Sequence, residues 1–118
     1  CWNSRTYPIQ PLNRITRMTE LYAIVCTDKA DTKPTRMAGL KEHLAHLDEV
    51  FDRVSLACPL LNEDGSFKGS LVVVSAADKA DAEAFIADDP YYKAGIWETV
   101  EISRIGVKAG SWVGGKPW

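Results

Sequence analysis

The sequence lacks the features that mark several large classes of protein. Its apolar runs, such as LVVV at residues 71–74, fall far short of the roughly 18 residues that suggest a membrane-spanning helix. The formal net charge of -2 gives no basic footprint for nucleic acid. Residues 1–17 contain no apolar stretch typical of a secretory signal. We therefore expect a cytoplasmic protein with neither a membrane nor a nucleic-acid partner.

Cysteine is scarce, and the motifs that hold cofactors are missing. The three cysteines, Cys1, Cys26 and Cys58, form an odd set without CxxC spacing, so neither a disulfide framework nor a zinc cluster is indicated. Cys26 and Cys58 lie in apolar, strand-like runs and are predicted to be small buried residues. A nucleophilic role for Cys58 is the alternative. Phosphate-binding glycine loops, GxSxG and HExxH are absent, so we predict no cofactor and no metal.

The pattern of apolar residues predicts six elements. Asp64 and Gly65 form a favoured hairpin turn between two strand-like runs. Asp78 can cap a helix, and Pro90 disfavours helix at the residue before it. In chain order we predict a strand at 20–27, a helix with its stable part from about Leu40, strands at 53–61 and 66–76, a helix from 79 to about 88 and a strand at 97–105.

This βαββαβ order predicts a ferredoxin-like α+β sandwich with both helices on one face of an antiparallel sheet. Both sets of alternating positions in LYAIVC at residues 21–26 are apolar, which predicts that both faces of the sheet are buried. A two-fold dimer would cover the second face, giving a dimeric α+β barrel. Residues 18–105 form the predicted domain, between an N-terminal arm at 1–17 and a tail at 106–118.

The two histidines of the chain lie three residues apart in KEHLAHL, on the first predicted helix. That helix carries an apolar stripe at Met37, Leu40, Leu44, Leu47 and Phe51, which we expect to be its buried face. His43 falls about 70° from the centre of the stripe and His46 about 130°. We expect His43 to be half enclosed and His46 to point to water. His43 is therefore the candidate for chemistry, and the alternative is a boundary histidine bonded to a backbone carbonyl.

An acid/base histidine needs a carboxylate partner, and three aspartates are candidates. Asp28 ends the first predicted strand, and Asp88 and Asp89 precede Pro90. Each has a simpler explanation, because Asp89 can cap a turn that starts at Pro90 and the other two can be solvated. Spacing alone does not choose among them. The aromatic residues between 91 and 97 either pack or line a small apolar pocket.

Several stretches together resemble the YciI-like (YCII-related) family over residues 20–105. The most specific are the HLxxL motif, here HLAHL at 43–47, and the DPYxxAG motif at 89–95. The others are LYAIVCTD at 21–28, ACPLL at 57–61, GSLVVV at 69–74 and the rest of DDPYYKAGIWETVEI at 88–102.

The resemblance implies a dimeric α+β barrel with a site centred on a histidine and an aspartate. By motif position these are His43 and Asp89. Arg36 and Asp28 match a family arginine and a family aspartate, so the resemblance implies that both are substrate-binding neighbours. His46 occupies a variable position of the motif.

Two positions depart from the family pattern. Leu40 stands where members commonly have an arginine, and Cys58 where they have a glycine. Loss of that arginine would remove a clamp for an anionic group. A carboxylate-bearing substrate is therefore less expected here than in a typical member.

Family members with an assigned reaction include a dehydrochlorinase of chlorinated hydroxyhydroquinones, and related barrels host isomerases and oxygenases of aromatic breakdown. The resemblance thus implies a lyase or isomerase of hydroxylated aromatic compounds. His43 would take a proton, Asp89 would hold the imidazole, and Tyr91 or Arg36 would orient the oxyanion. The alternative is a ligand-binding or accessory dimer without turnover.

Overall fold

The computed structural model describes residues 20–117 and confirms the predicted order of the main elements. It adds one short helix and two short 3-10 turns, at Phe51–Arg53 and Ser111–Val113. The main elements are β1 (Glu20–Asp28), α1 (Lys33–Glu49), β2 (Val54–Leu61), β3 (Phe67–Ala76), α2 (Lys79–Ala87), α3 (Pro90–Lys93) and β4 (Trp97–Ile105). The first helix starts seven residues before Leu40, with a proline in its first turn.

The four strands form one antiparallel sheet in the order β2-β3-β1-β4. Each βαβ half places its helix across the same face of the sheet, so the fold is the predicted α+β, ferredoxin-like sandwich. The core lies between this face and the segment that runs from α2 through α3 to the start of β4. Its residues are Tyr22, Ile24, Cys26, Val72, Val74, Ala76, Ala82, Phe85, Ile86, Tyr91, Ile96 and Trp97.

Local side-chain bonds set the ends of the helices in the second half. The Asp78 carboxylate accepts a hydrogen bond from the Asp81 N–H and starts α2. The Asp89 carboxylate accepts one from the Tyr91 N–H and starts α3, whose first residue is Pro90. Both bonds satisfy backbone donors that a helix leaves unpaired at its N-terminus. Asp89 is thereby held at the junction of α2 and α3.

The apolar stripe of α1 was expected to face the core, and this prediction is wrong. The exposed fractions are 55% for Met37, 40% for Leu40, 51% for Leu44 and 68% for Phe51. The inner face instead carries Arg36, Gly39, His43, His46 and Val50, at the three- and four-residue spacing of one helix face. Polar residues can occupy this face because Arg36 and His43 find hydrogen-bond partners inside.

The expected orientation of His46 toward water is wrong for the same reason. His46 is half-buried, and its ring lies 6.2 Å from that of Phe85, at a tilt of 54°. Its Nε2 atom is buried and has no hydrogen-bond partner among residues 20–117. His46 is therefore a packing residue between α1 and α2.

The opposite face of the sheet carries a second set of apolar side chains. Leu21, Ala23 and Val25 alternate with the buried residues of β1 and remain partly exposed. The predicted burial of this face by a second copy stays a prediction. No helix within residues 20–117 is long and apolar enough to cross a membrane.

Of the two segments outside the predicted domain, the structure describes only the C-terminal tail, up to residue 117. The arm predicted at 1–17 lies outside the described residues. In the tail, Gly110 and Gly115 form an isolated antiparallel bridge around the Ser111–Val113 turn, which leaves Trp112 83% exposed.

Candidate functional site

The inner face of α1 brings two polar side chains to one side of a cavity. Arg36 and His43 lie seven residues apart, which is two helical turns or about 10 Å along the axis. The carboxylate of Asp28 comes from the end of β1 and that of Asp89 from the α2–α3 junction. Each α1 residue therefore meets a carboxylate from another element.

His43 and Asp89 form a buried pair. The His43 Nδ1 atom lies 3.0 Å from the Asp89 Oδ1 atom, and the side chains are 17% and 3% exposed. Asp89 Oδ1 also accepts the Tyr91 N–H at 2.8 Å. The same carboxylate oxygen thus faces a side chain and the first turn of α3. An accepting oxygen in this position favours the Nδ1–H tautomer of His43.

Tyr91 packs directly on this pair. Its ring is parallel to that of His43, with centroids 4.0 Å apart and 7° between planes. Its hydroxyl donates to the Arg36 carbonyl oxygen at 3.1 Å. Burial raises the pKa of the Tyr91 phenol, so this hydroxyl remains a donor at neutral pH.

Arg36 and Asp28 form a second buried pair. The Nε and Nη2 atoms of Arg36 donate to the two carboxylate oxygens of Asp28 at 2.8 and 3.0 Å. Nη2 also donates to the Gly69 carbonyl and to Ser70 Oγ, both at 2.9 Å. Arg36 is 5% exposed, and this fork geometry is the one in which arginine binds carboxylates most strongly.

Gly69 is required where β1 and β3 approach each other. A Cβ atom at this position would clash with the carbonyl oxygen of Cys26, so only glycine fits. Because its own carbonyl accepts a bond from Arg36, the close approach also places an acceptor beneath α1. Gly69 and Ser70 were missed as site residues, since GSL at 69–71 is too short a signal to interpret alone.

An open cavity of ≈ 300 Å³ lies between α1 and the sheet. Its walls are mostly apolar, which accounts for the exposed stripe of α1 apart from Phe51. The helix contributes Met37, Leu40, Leu44 and Leu47, and the strands contribute Ala57, Pro59, Phe67, Val72 and Trp97. Arg36, His43, Ser70 and Tyr91 supply the polar groups. Such a cavity is of the size and character that bind small molecules.

The structure brings together three of the five predicted site residues around His43. Asp89 and Tyr91 contact His43, and Asp89 is the one of the three candidate aspartates that does so. Arg36 borders the same cavity. Asp28 is not among the residues that line it and reaches the site through Arg36.

The two cysteines within the described residues differ in setting. Cys26 is fully buried, and burial, with the Asp89 and Asp28 charges next, raises the pKa of its thiol to about 12. It is thus the small buried residue that was predicted. Cys58 is half-buried and borders the cavity, as does Leu40, so both departures from the family pattern lie at the cavity wall. Within residues 20–117 no three His, Cys, Asp or Glu side chains are placed to hold a metal.

A family model described as the YCII-related domain matches residues 20–106. The chain belongs to this family. The proteins named YciI of Escherichia coli and Shigella flexneri are each 34% identical to it over 90 residues, covering 70% of this chain and 92% of theirs. The predicted family resemblance is confirmed.

Solved structures confirm the fold. The 5-chloro-2-hydroxyhydroquinone dehydrochlorinase TftG of Burkholderia phenoliruptrix, in complex with 2,5-dihydroxybenzoquinone, superposes with a TM-score of 0.65 at 23% identity, covering 78% of this chain and 97% of that one. A NIPSNAP family protein of Agrobacterium tumefaciens superposes with a TM-score of 0.51 at 10% identity, covering 80% and 90%. At these identities the likeness concerns the fold of this YCII-related protein.

Proposed function

We propose that this YCII-related protein is a cytoplasmic small-molecule enzyme, a lyase or isomerase of hydroxylated or chlorinated aromatic compounds, with His43 as its acid/base. The observation that carries the proposal is the position of His43. Its Nδ1 is bonded to a buried carboxylate while its ring borders an open apolar cavity. General acid/base catalysis requires a histidine with one ring nitrogen held by the protein and the other free to exchange a proton with the substrate.

In the proposed mechanism His43 Nε2 takes a proton from a hydroxyl or an acidic carbon of the bound ring. The Asp89 carboxylate stabilises the imidazolium that forms. In a dehydrochlorination, the proton leaves to His43 and chloride leaves the ring, so that HCl is removed in all. In an isomerisation, the same imidazolium returns the proton to another atom of the substrate.

The substrate class is supported by the shape and lining of the cavity and by one relative. A volume of ≈ 300 Å³ between apolar walls suits a single substituted ring. TftG, which shares the fold, is a dehydrochlorinase of a chlorinated hydroxyhydroquinone. We propose the same class of ring for this chain.

We propose supporting roles for Arg36 and Asp28 at the base of the site. Three donor bonds of Arg36 Nη2 and one of Nε go to Asp28, Gly69 and Ser70. The arginine charge is thus balanced within the protein by Asp28. Both residues would fix the floor under the substrate and lend little charge to bind an anion.

We also propose that the protein is a homodimer through the outer face of the sheet. The partly exposed Leu21, Ala23 and Val25 form the centre of that face. Burying them against a second copy would remove apolar surface from water. Sedimentation would show a single species of twice the chain mass.

A ligand-binding protein without turnover is the second candidate, and one observation favours it. Asp89 caps α3 through the Tyr91 N–H, so its burial has a structural reason that is independent of catalysis. In that case His43 would only hydrogen-bond a ligand within the cavity.

A turnover screen on hydroxylated and chlorinated aromatic compounds tests the proposal. We expect the His43→Ala and Asp89→Asn variants to lose about 10²-fold or more in kcat/KM, as for an acid/base group and its partner. His46→Gln is the matched control, because His46 lies on the same helix outside the cavity and should retain parent rates. Equal rates for the parent and His43→Ala would contradict the mechanism, and binding without turnover would favour the second candidate.

A further inference from the structure

The histidines of α1 meet aromatic rings in two different ways. The His43 and Tyr91 rings are 4.0 Å apart and 7° from parallel. The His46 and Phe85 rings are 6.2 Å apart and tilted by 54°. The first is a parallel stacking contact and the second a looser, tilted packing contact. Only the His43 ring therefore has its plane fixed by an aromatic neighbour.

Tyr91 is itself held from several directions. Its hydroxyl donates to the Arg36 carbonyl, and its N–H donates to Asp89. Its ring meets that of Trp97 edge-on, at 6.3 Å and 86°. It is 3% exposed, and the position of Gly39 on α1 leaves room for the ring beside the helix. These contacts all come from the protein itself, so they hold the Tyr91 ring in place without a ligand.

We infer that Tyr91 is a positioning residue that acts on His43 through the face of its ring, and not an oxyanion-orienting residue that acts through its hydroxyl. The hydroxyl already donates to the backbone of Arg36 at 3.1 Å, whereas the ring covers His43. This inference rests on the proposed role of His43 as the acid/base. It assigns Tyr91 a different task from the one that the family resemblance implied.

One hydrogen bond does not fix the orientation of the His43 ring. The bond from His43 Nδ1 to Asp89 fixes one ring atom, but the ring can still pivot about that atom, since the terminal torsion of histidine has a broad profile. Parallel stacking at 4.0 Å removes this pivot. The direction of Nε2 toward the substrate is then set by two contacts instead of one.

The stack also favours the charged intermediate. When His43 carries a second proton, the positive imidazolium lies over the electron-rich face of the Tyr91 ring. Asp89 faces the same imidazolium from its Nδ1 side. Tyr91 thus supports the acid/base in both of its protonation states through the face of its ring.

Three substitutions separate the ring from the hydroxyl. Tyr91→Phe keeps the ring and loses the hydroxyl, so we expect kcat to fall by no more than about fivefold, the worth of one neutral hydrogen bond. Tyr91→Leu and Tyr91→Met lose the ring, and we expect kcat to fall by about 10²-fold, as for a misplaced catalytic group, with a smaller change in KM. Two variants without the ring are prepared so that, if one of them does not fold, the other can still be measured.

Nitrogen NMR of the His43 ring gives a readout that does not require turnover. We expect the parent and Tyr91→Phe to show one tautomer with a protected Nδ1–H, and Tyr91→Leu and Tyr91→Met to show mixed tautomers with an exchanging Nδ1–H. Tyr92→Leu is the control, since Tyr92 is in the same short helix and is 45% exposed. Its ring meets Trp97 edge-on and is not stacked on His43. It should leave the His43 signals and kcat at parent values.

The inference fails if the ring-free variants keep the parent tautomer and kcat, or if Tyr91→Phe loses as much as Tyr91→Leu. It is supported if ring loss changes both readouts and hydroxyl loss changes neither substantially. If His43→Ala has parent turnover, the proposed function fails, while the NMR comparison still decides whether Tyr91 orients the His43 ring.

Discussion

Two buried pairs of similar geometry lie two turns apart on α1, and they differ in how many partners each basic side chain has. Arg36 makes four hydrogen bonds, to Asp28, Gly69 and Ser70. Among residues 20–117, His43 makes one, to Asp89, and it borders the cavity with 17% of its side chain exposed. Distances alone do not distinguish the pairs, since both are near 3 Å.

The difference supports a structural role for the Arg36–Asp28 pair and is consistent with the chemical role proposed for the His43–Asp89 pair. A buried charge with several partners cannot move without leaving unpaired groups behind, so its pair holds the fold. A histidine with one ring nitrogen bonded and its ring bordering a cavity can exchange a proton at little structural cost. The comparison therefore predicts opposite effects of mutation on stability and activity.

Loss of the arginine should have the largest effect. Arg36→Met leaves Asp28 and Ser70 buried without their partner, and we expect a loss of about 3–5 kcal/mol in the free energy of unfolding, measured by urea titration. Arg53→Met is the control, because the Arg53–Asp81 pair is about 40% exposed and should contribute about 1 kcal/mol or less. Equal losses in the two variants would remove the distinction between buried and exposed pairs.

Loss of the histidine should affect activity and leave the fold largely intact. His43→Ala is expected to lower kcat/KM by about 10²–10⁴-fold, while its urea midpoint stays closer to the parent than that of Arg36→Met. Asp89 remains bonded to the Tyr91 N–H in this variant, so no fully unpaired carboxylate is created. A stability loss as large as that of Arg36→Met would make both pairs structural.

The buried thiol of Cys26 interacts electrostatically with charges from both pairs. Its thiol pKa is raised from 9.0 to about 12, first by burial and then by the charges of Asp89 and Asp28. The folded state therefore holds the thiol proton more tightly than the unfolded state, so this contribution to stability is fully present below pH 9 and is lost as the pH rises toward 12. We expect Cys26→Ala to lose less stability than the parent over this range in urea titrations.

Cys58→Ala is the control for the alkaline experiment, since Cys58 is half-buried and lies on β2. It should follow the alkaline stability profile of the parent. A Cys26→Ala profile parallel to that of the parent would show that other groups account for the alkaline loss.

The smallest effect is expected between the two pairs, at Gly39. A Cβ atom there would lie 3.5 Å from Tyr91 Cε1, which is an ordinary contact, and alanine favours helix over glycine by about 1 kcal/mol. We expect Gly39→Ala to raise the free energy of unfolding by up to about that amount, as measured by thermal melting. A drop in kcat without a drop in stability would show that the Tyr91 ring needs the space.

Local patterns in the sequence predicted the elements well and the orientation of α1 poorly. The hairpin at Asp64–Gly65 and the caps of α2 and α3 depend on neighbouring residues, which a sequence displays directly. The helical wheel of α1 assumed that apolar side chains face the core. It failed because the stripe lines a cavity, and the inner face is instead polar and satisfied by bonds to distant residues.

The candidate site was likewise predicted only in part from the sequence. Motif position selected His43 and Asp89, which are 46 residues apart in the chain and 3.0 Å apart in the structure. The contributions of Gly69 and Ser70 depend on the register of β3 against β1, and the parallel rings of His43 and Tyr91 depend on how α3 lies against α1. Neither relation leaves a periodic signal in the chain.

The sequence by itself determined the order of strands and helices, the turn and cap residues and the family. The first two depend on short-range propensity, and the family is recognised from motifs that each span only a few residues. Only the tertiary structure decided which face of α1 is buried, which residues of β3 bond to Arg36 and how the Tyr91 ring lies against His43. Those outcomes depend on hydrogen bonds between residues far apart in the chain, whose partners are chosen when the sheet and helices pack.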